Sequence, residues 1–162
     1  MGQNVWHEKA DYSADQIQFQ TGQIIGKTPA DKNNFKIFDQ NGKSLYAIAM
    51  DNTQWQNFAL KLDYTKKYVL MIPPFFWPGI LYSLLCSQVQ IYYSVGAAEL
   101  KSVAGPTSAS LSGGGQFQIG ILKKPTGTSD VVNGGYQESK LNEGQIYGGI
   151  FLEDSANNCI SL

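Results

Sequence analysis

Groups that commonly carry catalysis are scarce in this chain. His7 is the only histidine, so a Ser-His-Asp arrangement would have to use a residue close to the N-terminus, and no Gly-x-Ser-x-Gly elbow is present. Gly113–Gly115 has neither the lysine nor the following helix of a phosphate-binding loop. The spacing of histidine, cysteine and carboxylate residues matches no metal site. The sequence therefore predicts a protein that is not an enzyme and that carries no cofactor and no metal.

One enzymatic chemistry leaves no local signature. Two carboxylates that are far apart in the sequence can together hydrolyse a glycosidic bond. The chain contains 13 aspartate and glutamate residues, which keeps this alternative open. It would require a cleft in which two acids lie at a catalytic separation.

Cysteine and targeting signals are also sparse. Cys86 and Cys159 lie in apolar contexts and could form one disulfide or none. The N-terminal residues have neither the basic region nor the apolar run of a signal peptide. We therefore expect synthesis in the cytosol without a signal peptide. The protein would then act outside the cell after leaderless release, or within an assembled particle.

Charged residues make up 15% of the chain, compared with about 25% in an average protein. The net charge of −1 offers no concentrated cationic face, which argues against a nucleic-acid partner. Residues 68–98 contain no charged side chain. Such a stretch is typical of a buried core or of an obligate interface between copies of the chain. Prolines at positions 73, 74 and 78 argue against a transmembrane helix there.

Short alternating or apolar runs separated by turn residues recur along the chain. Ile17 and Phe19 alternate with glutamines, which predicts a half-buried strand, and residues 3–8 predict an edge strand or a docked arm. No long helical pattern interrupts these runs, and 162 residues fit one domain. We therefore predict a single all-β domain over residues 1–162. Its architecture is expected to be an antiparallel β-sandwich, jelly-roll-like, or a barrel.

Asn41-Gly42 gives the clearest local signal. It separates two apolar-rich runs and is the preferred dipeptide of a type I′ hairpin, because both turn positions need φ > 0. With this two-residue turn, the predicted cross-strand pairs are Phe38 with Leu45, Ile37 with Tyr46 and Phe35 with Ile48.

A second predicted hairpin consists of residues 107–112 and 116–121, with Gly113–Gly115 as the loop. One face carries serines and glutamines, and the other forms a candidate membrane or interface surface made of Leu111, Phe117, Ile119 and Ile121. An uncharged amphipathic hairpin of this kind is typical of subunits that share a membrane barrel. However, each arm alternates over only about seven residues, whereas a membrane-spanning strand needs about 9–11.

The sequence Phe75-Phe76-Trp77 lies between prolines and predicts an aromatic corner. These three side chains could close one end of the sandwich. They could also stack on sugar rings, sit at a membrane interface or anchor a subunit contact. Phe75, Phe76 and Trp77 are therefore the candidate binding residues.

These features together lead to a functional prediction. The leading hypothesis is a non-enzymatic surface-binding β-protein directed at a glycan or a membrane, as lectins and small pore-forming toxins are. The alternative is a self-assembling structural subunit of a virion or fibre. The expected partners are a glycan or membrane surface, or copies of the chain itself in a homo-oligomer.

Overall fold

The structure is a computed structural model of the chain. It describes residues 2–22, 32–64, 67–69, 83–85, 87–109, 111, 114–122, 127–130, 133–136, 139–140, 142, 144, 146–154 and 160–161. Within these residues the regular structure is entirely β. The strands are β1 (Gly2–Glu8), β2 (Asp15–Thr21), β3 (Asn34–Asp39), β4 (Ser44–Ala49), β5 (Gln56–Asp63), β6 (Lys67–Val69), β7 (Ser83–Leu85), β8 (Gln88–Val95), β9 (Lys101–Ser108), β10 (Phe117–Leu122), β11 (Glu153–Asp154) and β12 (Ile160–Ser161).

Two larger sheets dominate the described part of the chain. The five-stranded sheet has the order β10-β1-β2-β3-β4, and the three-stranded sheet has the order β5-β8-β9. Two short pairs, β6-β7 and β11-β12, complete the set. All strand pairs are antiparallel. The predicted all-β sandwich is confirmed, and among the described residues the two sheets are not joined into a barrel.

The core lies between the two larger sheets. Ile17 of β2 and Ile37 of β3 are buried together with Val89 and Ile91 of β8. Because side chains alternate between the faces of a strand, the glutamines beside Ile17 lie on the opposite, outer face of the five-stranded sheet. Burying a side chain of the size of isoleucine or valine contributes about 1.5–3 kcal/mol, so this alternation is what directs the two sheets together.

Aromatic rings fill one end of the core. The ring centroid of Phe58 lies 5.0 Å from that of Phe19 and 5.3 Å from that of Phe35, both in edge-to-face geometry. Tyr93 stands 5.1 Å from Phe58. These distances are within the range in which aromatic pairs attract. The start of β5 and the end of β8 therefore lie over the end of β2 and the start of β3.

The predicted hairpin at Asn41-Gly42 forms, but its turn differs from the prediction. Phe35 pairs with Ile48 and Ile37 with Tyr46, as expected, whereas Phe38 pairs with Ser44 instead of Leu45. Gly42 has φ 74° and is the position in this turn with positive φ. Its N–H donates to the Asp39 carbonyl, and the Asp39 N–H donates to the Lys43 carbonyl, both at 3.0 Å. This is a type I turn followed by a glycine bulge, which adds residues to the loop and shifts the last pair.

The predictions about β1 and about the second hairpin are wrong. β1 is not an edge strand, because β10 pairs along one side of it and β2 along the other. The arms of the second hairpin belong to different sheets: β9 pairs with β8, and β10 pairs with β1. Alternation specifies which face of a strand is buried but not which strand will be its partner. A shared pattern on both sides of a glycine loop was therefore insufficient to predict pairing.

Candidate functional site

Four aspartates among the described residues accept hydrogen bonds from nearby backbone N–H groups in turns. The buried Asp39 accepts through Oδ1 from the N–H groups of Asn41 and Lys43, both at 2.9 Å. Asp130 accepts from the N–H of Asn133 at 3.1 Å. Carboxylates used in this way hold a turn together, so we assign Asp39 and Asp130 a structural role.

Asp11 and Asp51 are held in the same manner. Asp11 Oδ1 accepts from the hydroxyl of Ser13 at 2.7 Å and from its N–H at 3.1 Å. Asp51 Oδ1 accepts from the hydroxyl and N–H of Thr53 at 2.6 and 2.8 Å. These bonds lower the pKa of both carboxyls below the ordinary value. A general acid at neutral pH needs a raised pKa, so neither group suits that role.

Glu8 and Asp15 form the candidate site. They are Cα partners across the β1–β2 ladder, and residues directly opposite in an antiparallel pair have Cα atoms about 4.5–5.5 Å apart. Among the cross-strand partners of the described residues, this is the one place where two acids stand opposite each other. The register shifts between His7 and Glu8, and such bulges are enriched next to active sites.

The turn between β1 and β2 presents polar groups beside this pair. The Lys9 N–H donates to the Ala14 carbonyl, and the Tyr12 N–H donates to the Lys9 carbonyl, both at 3.0 Å. Tyr12 has φ 59°, a left-handed conformation that points to a constrained turn. Its hydroxyl accepts from Nε2 of Gln116 at 2.9 Å. The start of β10 is thereby tied to the turn that joins the two acids.

The amides around this turn form a short chain of hydrogen bonds. Nε2 of Gln118 donates to Oε1 of Gln116 at 3.1 Å, and Nε2 of Gln116 donates in turn to the Tyr12 hydroxyl. Amides and phenolic hydroxyls both donate and accept. The turn that joins Glu8 and Asp15 in the β1–β2 ladder therefore carries hydrogen-bonding groups.

The structure describes the side chains of three of the candidate residues predicted from the sequence. Leu111 is buried in the core between the sheets, whereas Phe117 and Ile119 are exposed on β10. Ile121 belongs to β10, but its side chain is outside the described residues, as are Phe75, Phe76, Trp77, Cys86 and Cys159. Leu111 therefore does not share an exposed face with Phe117 and Ile119, and the aromatic corner and the disulfide stay predictions.

Two further properties of the described residues bear on the site. They contain no group of three or more histidine, cysteine, aspartate or glutamate residues placed to hold a metal ion. They also contain no helix that is long and apolar enough to cross a membrane.

Comparison with known families then decides the classification. The sequence model of the family described as the glycoside hydrolase 131 catalytic N-terminal domain matches residues 3–158. The chain belongs to this family. A search of curated proteins found no match for the chain.

Membership of the glycoside hydrolase 131 family overturns the functional predictions. A catalytic glycosidase domain is an enzyme, so the prediction of a non-enzymatic surface-binding protein is wrong. The lectin and pore-forming-toxin readings and the alternative of a virion or fibre subunit are wrong on the same ground. The predictions about oligomeric partners and leaderless export stay predictions.

The error has a definite physical origin. Histidine- and metal-dependent sites leave local motifs in a sequence, whereas paired carboxylates leave none. A usable signal was nevertheless present. Residues 3–8 and the alternation around Ile17 each predicted a strand, and the turn between them makes a β1–β2 hairpin the simplest pairing. That hairpin sets Glu8 opposite Asp15.

Proposed function

We propose that this glycoside hydrolase 131 domain cleaves a glycosidic bond with a pair of carboxylic acids. The observation that carries the proposal is the family match, which extends over residues 3–158. The scarcity of other catalytic groups supports the same chemistry, since the only histidine is His7.

Glu8 and Asp15 are the pair that the fold supports best. Glycosidases that retain the anomeric configuration hold their two carboxyl groups about 5–5.5 Å apart, and inverting enzymes hold them about 6.5–9.5 Å apart. Directly opposite positions in a ladder have Cα atoms about 4.5–5.5 Å apart, a spacing from which two side chains can reach the shorter carboxyl separation. We therefore propose a retaining reaction in this domain.

The reaction then proceeds in two balanced steps. One carboxylic acid donates its proton to the glycosidic oxygen while the other, as a carboxylate, attacks the anomeric carbon, so that the C–O bond of the leaving sugar breaks and an ester forms. In the second step the first group, now a carboxylate, takes a proton from water as the water attacks the anomeric carbon. The ester breaks, the sugar leaves and both groups regain their original protonation.

An amide scan over the acids tests both the function and the pair. Of the 13 acids, the four turn aspartates Asp11, Asp39, Asp51 and Asp130 serve as controls, which leaves nine positions to test. These nine are Glu8, Asp15, Asp31, Asp63, Glu99, Glu138, Glu143, Glu153 and Asp154. Each is replaced by its amide, and reducing-end release is measured on a panel of neutral and acidic polysaccharides.

The scan has three informative outcomes. Loss of about 10²–10⁴-fold confined to E8Q and D15N, with the controls active, supports the proposed pair. Loss at two other acids leaves the glycosidase function standing and removes this pair. If the wild-type domain releases no reducing ends from any polysaccharide, the proposed function itself is wrong.

A further inference from the structure

A second polar surface lies on the three-stranded sheet. Phe58, Leu60 and Leu62 of β5 and Val89 and Ile91 of β8 pack against or within the core. Alternation therefore turns the intervening side chains of both strands away from the core. We call this surface the outer face; it is formed by Asn57, Lys61, Asp63, Gln90, Tyr92, Ser94 and Ser102.

Neutral hydrogen-bonding groups make up most of the outer face. Nδ2 of Asn57 donates to Oγ of Ser94 at 3.1 Å, and Nε2 of Gln90 donates to Oγ of Ser102 at 3.0 Å. Within the described residues, the side-chain oxygens of Asn57 and Gln90 accept no hydrogen bond. The charges of the β5 part of this face are Lys61 and Asp63, which are of opposite sign. The face thus offers oriented amide oxygens without a net charge.

Trp55 stands at one end of this face. Its carbonyl accepts the N–H of Gly96 at 2.8 Å, which extends the β5–β8 ladder one step beyond the Gln56–Val95 pair. Alternation then puts Trp55 on the same side of the sheet as Asn57. The side chain is 56% exposed, which leaves a large aromatic surface available at the end of a polar row.

Hydrogen bonds of the neighbouring Gln56 fix the backbone that carries Trp55. Oε1 of Gln56 accepts the N–H of Asp51 at 2.8 Å, and Nε2 of Gln56 donates to the hydroxyl of Tyr93 at 2.8 Å. The benzo carbons of Trp55 lie 3.6–3.9 Å from the position that a Cβ on Gly148 would occupy. A backbone segment that is already fixed loses little freedom on binding.

We infer that the outer face binds a neutral saccharide chain, with Trp55 stacking on a sugar ring and Asn57 and Gln90 accepting hydrogen bonds from sugar hydroxyls. Aromatic rings offer a flat apolar surface, and unpaired amide oxygens are acceptors for hydroxyl donors. The lack of net charge favours a neutral ligand over an acidic one. The inference rests on the proposed function, because it takes the ligand to be the polysaccharide that the enzyme cleaves.

This surface is separate from the Glu8–Asp15 pair, which belongs to the other sheet. It would therefore hold a long polysaccharide to the enzyme without contacting the bond that is cleaved. The consequence is a dependence on chain length, with binding to a polymer affected more than cleavage of a short glycoside.

Affinity electrophoresis tests the inference without relying on turnover. Native gels contain either a neutral polysaccharide (xylan, mannan or a glucan) or acidic polygalacturonate, and the domain carries D15N so that the gel polysaccharide is not consumed. W55A should weaken retention by a neutral polysaccharide about 3–10-fold, the range expected for one aromatic stack. W55F should keep part of the retention. Y136A is the matched control, because Tyr136 is 67% exposed and lies outside the outer face.

Each outcome decides the inference. Retention by a neutral gel that falls in W55A and N57A but not in Y136A supports it, provided that the thermal midpoints show all variants folded. Equal retention of W55A and the parent, equal loss in Y136A, or equal retention by polygalacturonate overturns it. If the parent is retained by no gel although wild type releases reducing ends, the inference fails while the glycosidase function stands; if wild type does neither, both fail.

Discussion

The outer faces of the two sheets are both polar, but they differ in what their polar groups contact. On the five-stranded sheet, Gln16 and Lys36 are only 1% and 3% exposed. Gln16 donates to the Gly114 carbonyl and the Lys36 ammonium to the Gly22 carbonyl. On the three-stranded sheet, Ser94 and Gln88 are likewise buried, but Asn57, Gln90 and Tyr92 are half-buried.

This difference separates polar residues that build the fold from polar residues that are available to a ligand. Buried polar groups stabilise a structure only when they are paired, and leaving one unpaired costs about 1–3 kcal/mol. The glutamines of β2 meet this requirement mainly with groups of the chain itself; the exception is Oε1 of Gln20, which is buried without a partner. The amide oxygens of the three-stranded sheet can instead be satisfied by water or by sugar hydroxyls.

The largest expected effect is the difference between D15N and Q16A, which replace two neighbouring residues of β2. D15N should lower turnover about 10²–10⁴-fold because it removes a group that transfers a proton or attacks the sugar, while its unfolding midpoint stays near that of wild type. Q16A should instead lower the unfolding midpoint and leave turnover near that of wild type, because Gln16 contacts the chain and not the reacting bond. Initial rates on a polysaccharide and thermal unfolding of both variants provide the measurement. Equal loss of turnover in the two variants would contradict the assignment of a catalytic role to Asp15 and a structural role to Gln16.

The next largest effect compares Leu111 with Ile119, which the sequence placed on one apolar face. L111A should lower the free energy of unfolding by about 2–5 kcal/mol, since Leu111 is 9% exposed in the core and its loss leaves a cavity. I119A should change it by about 0.5 kcal/mol or less, because Ile119 is 45% exposed. Urea unfolding of both variants measures the difference. Similar losses would favour the hairpin over the two-sheet arrangement.

The contrast between these two residues also shows how much of the fold the sequence contained. Strand alternation and turn residues were sufficient for the all-β sandwich and for two of the three pairs predicted around Asn41-Gly42. They failed at β9 and β10, because the pairing of each with a distant strand depends on contacts that no local pattern records. Ser87 shows one of these contacts: its hydroxyl accepts the Leu111 N–H at 2.6 Å and keeps that segment beside β8.

The candidate site was less accessible from the sequence than the fold. Glu8 and Asp15 are ordinary acids in a chain with 13 of them, and only their placement on two paired strands distinguishes them. Trp55 is likewise assigned to the outer face only because its carbonyl accepts the Gly96 N–H and so extends the β5–β8 ladder. In both cases the strand register decides which residues lie opposite each other and on which face, and a one-residue slip would change both.

A smaller effect tests the comparison of outer faces directly. Q16A should lower the free energy of unfolding by about 1–3 kcal/mol, because it removes the hydrogen bond from Gln16 to the Gly114 carbonyl and leaves a cavity where the side chain is 1% exposed. W55A should lower it by about 1 kcal/mol or less, since the indole is 56% exposed. Chemical unfolding gives both values, and saccharide retention should show the opposite ranking. If W55A has a lower free energy of unfolding than Q16A, Trp55 has a structural role and is not primarily a ligand-binding residue.

The smallest effect concerns the turn aspartates and their dependence on pH. The hydroxyl and N–H of Thr53, together with Gln54, lower the pKa of Asp51 below its ordinary 3.8. The unfolded chain therefore binds more protons than the folded chain as the pH falls through 3.8, so the stabilisation by Asp51 is present above that pH and is lost on further acidification. Thermal midpoints of wild type should fall more steeply between about pH 5 and 2 than those of D51N, and T53A should lie between them. Above that window the three curves should run parallel, because the Asp51 carboxylate is ionised in both folded and unfolded chains. A wild-type curve parallel to that of D51N throughout would show that this carboxylate does not hold its turn, and would return Asp51 to the acids considered for catalysis.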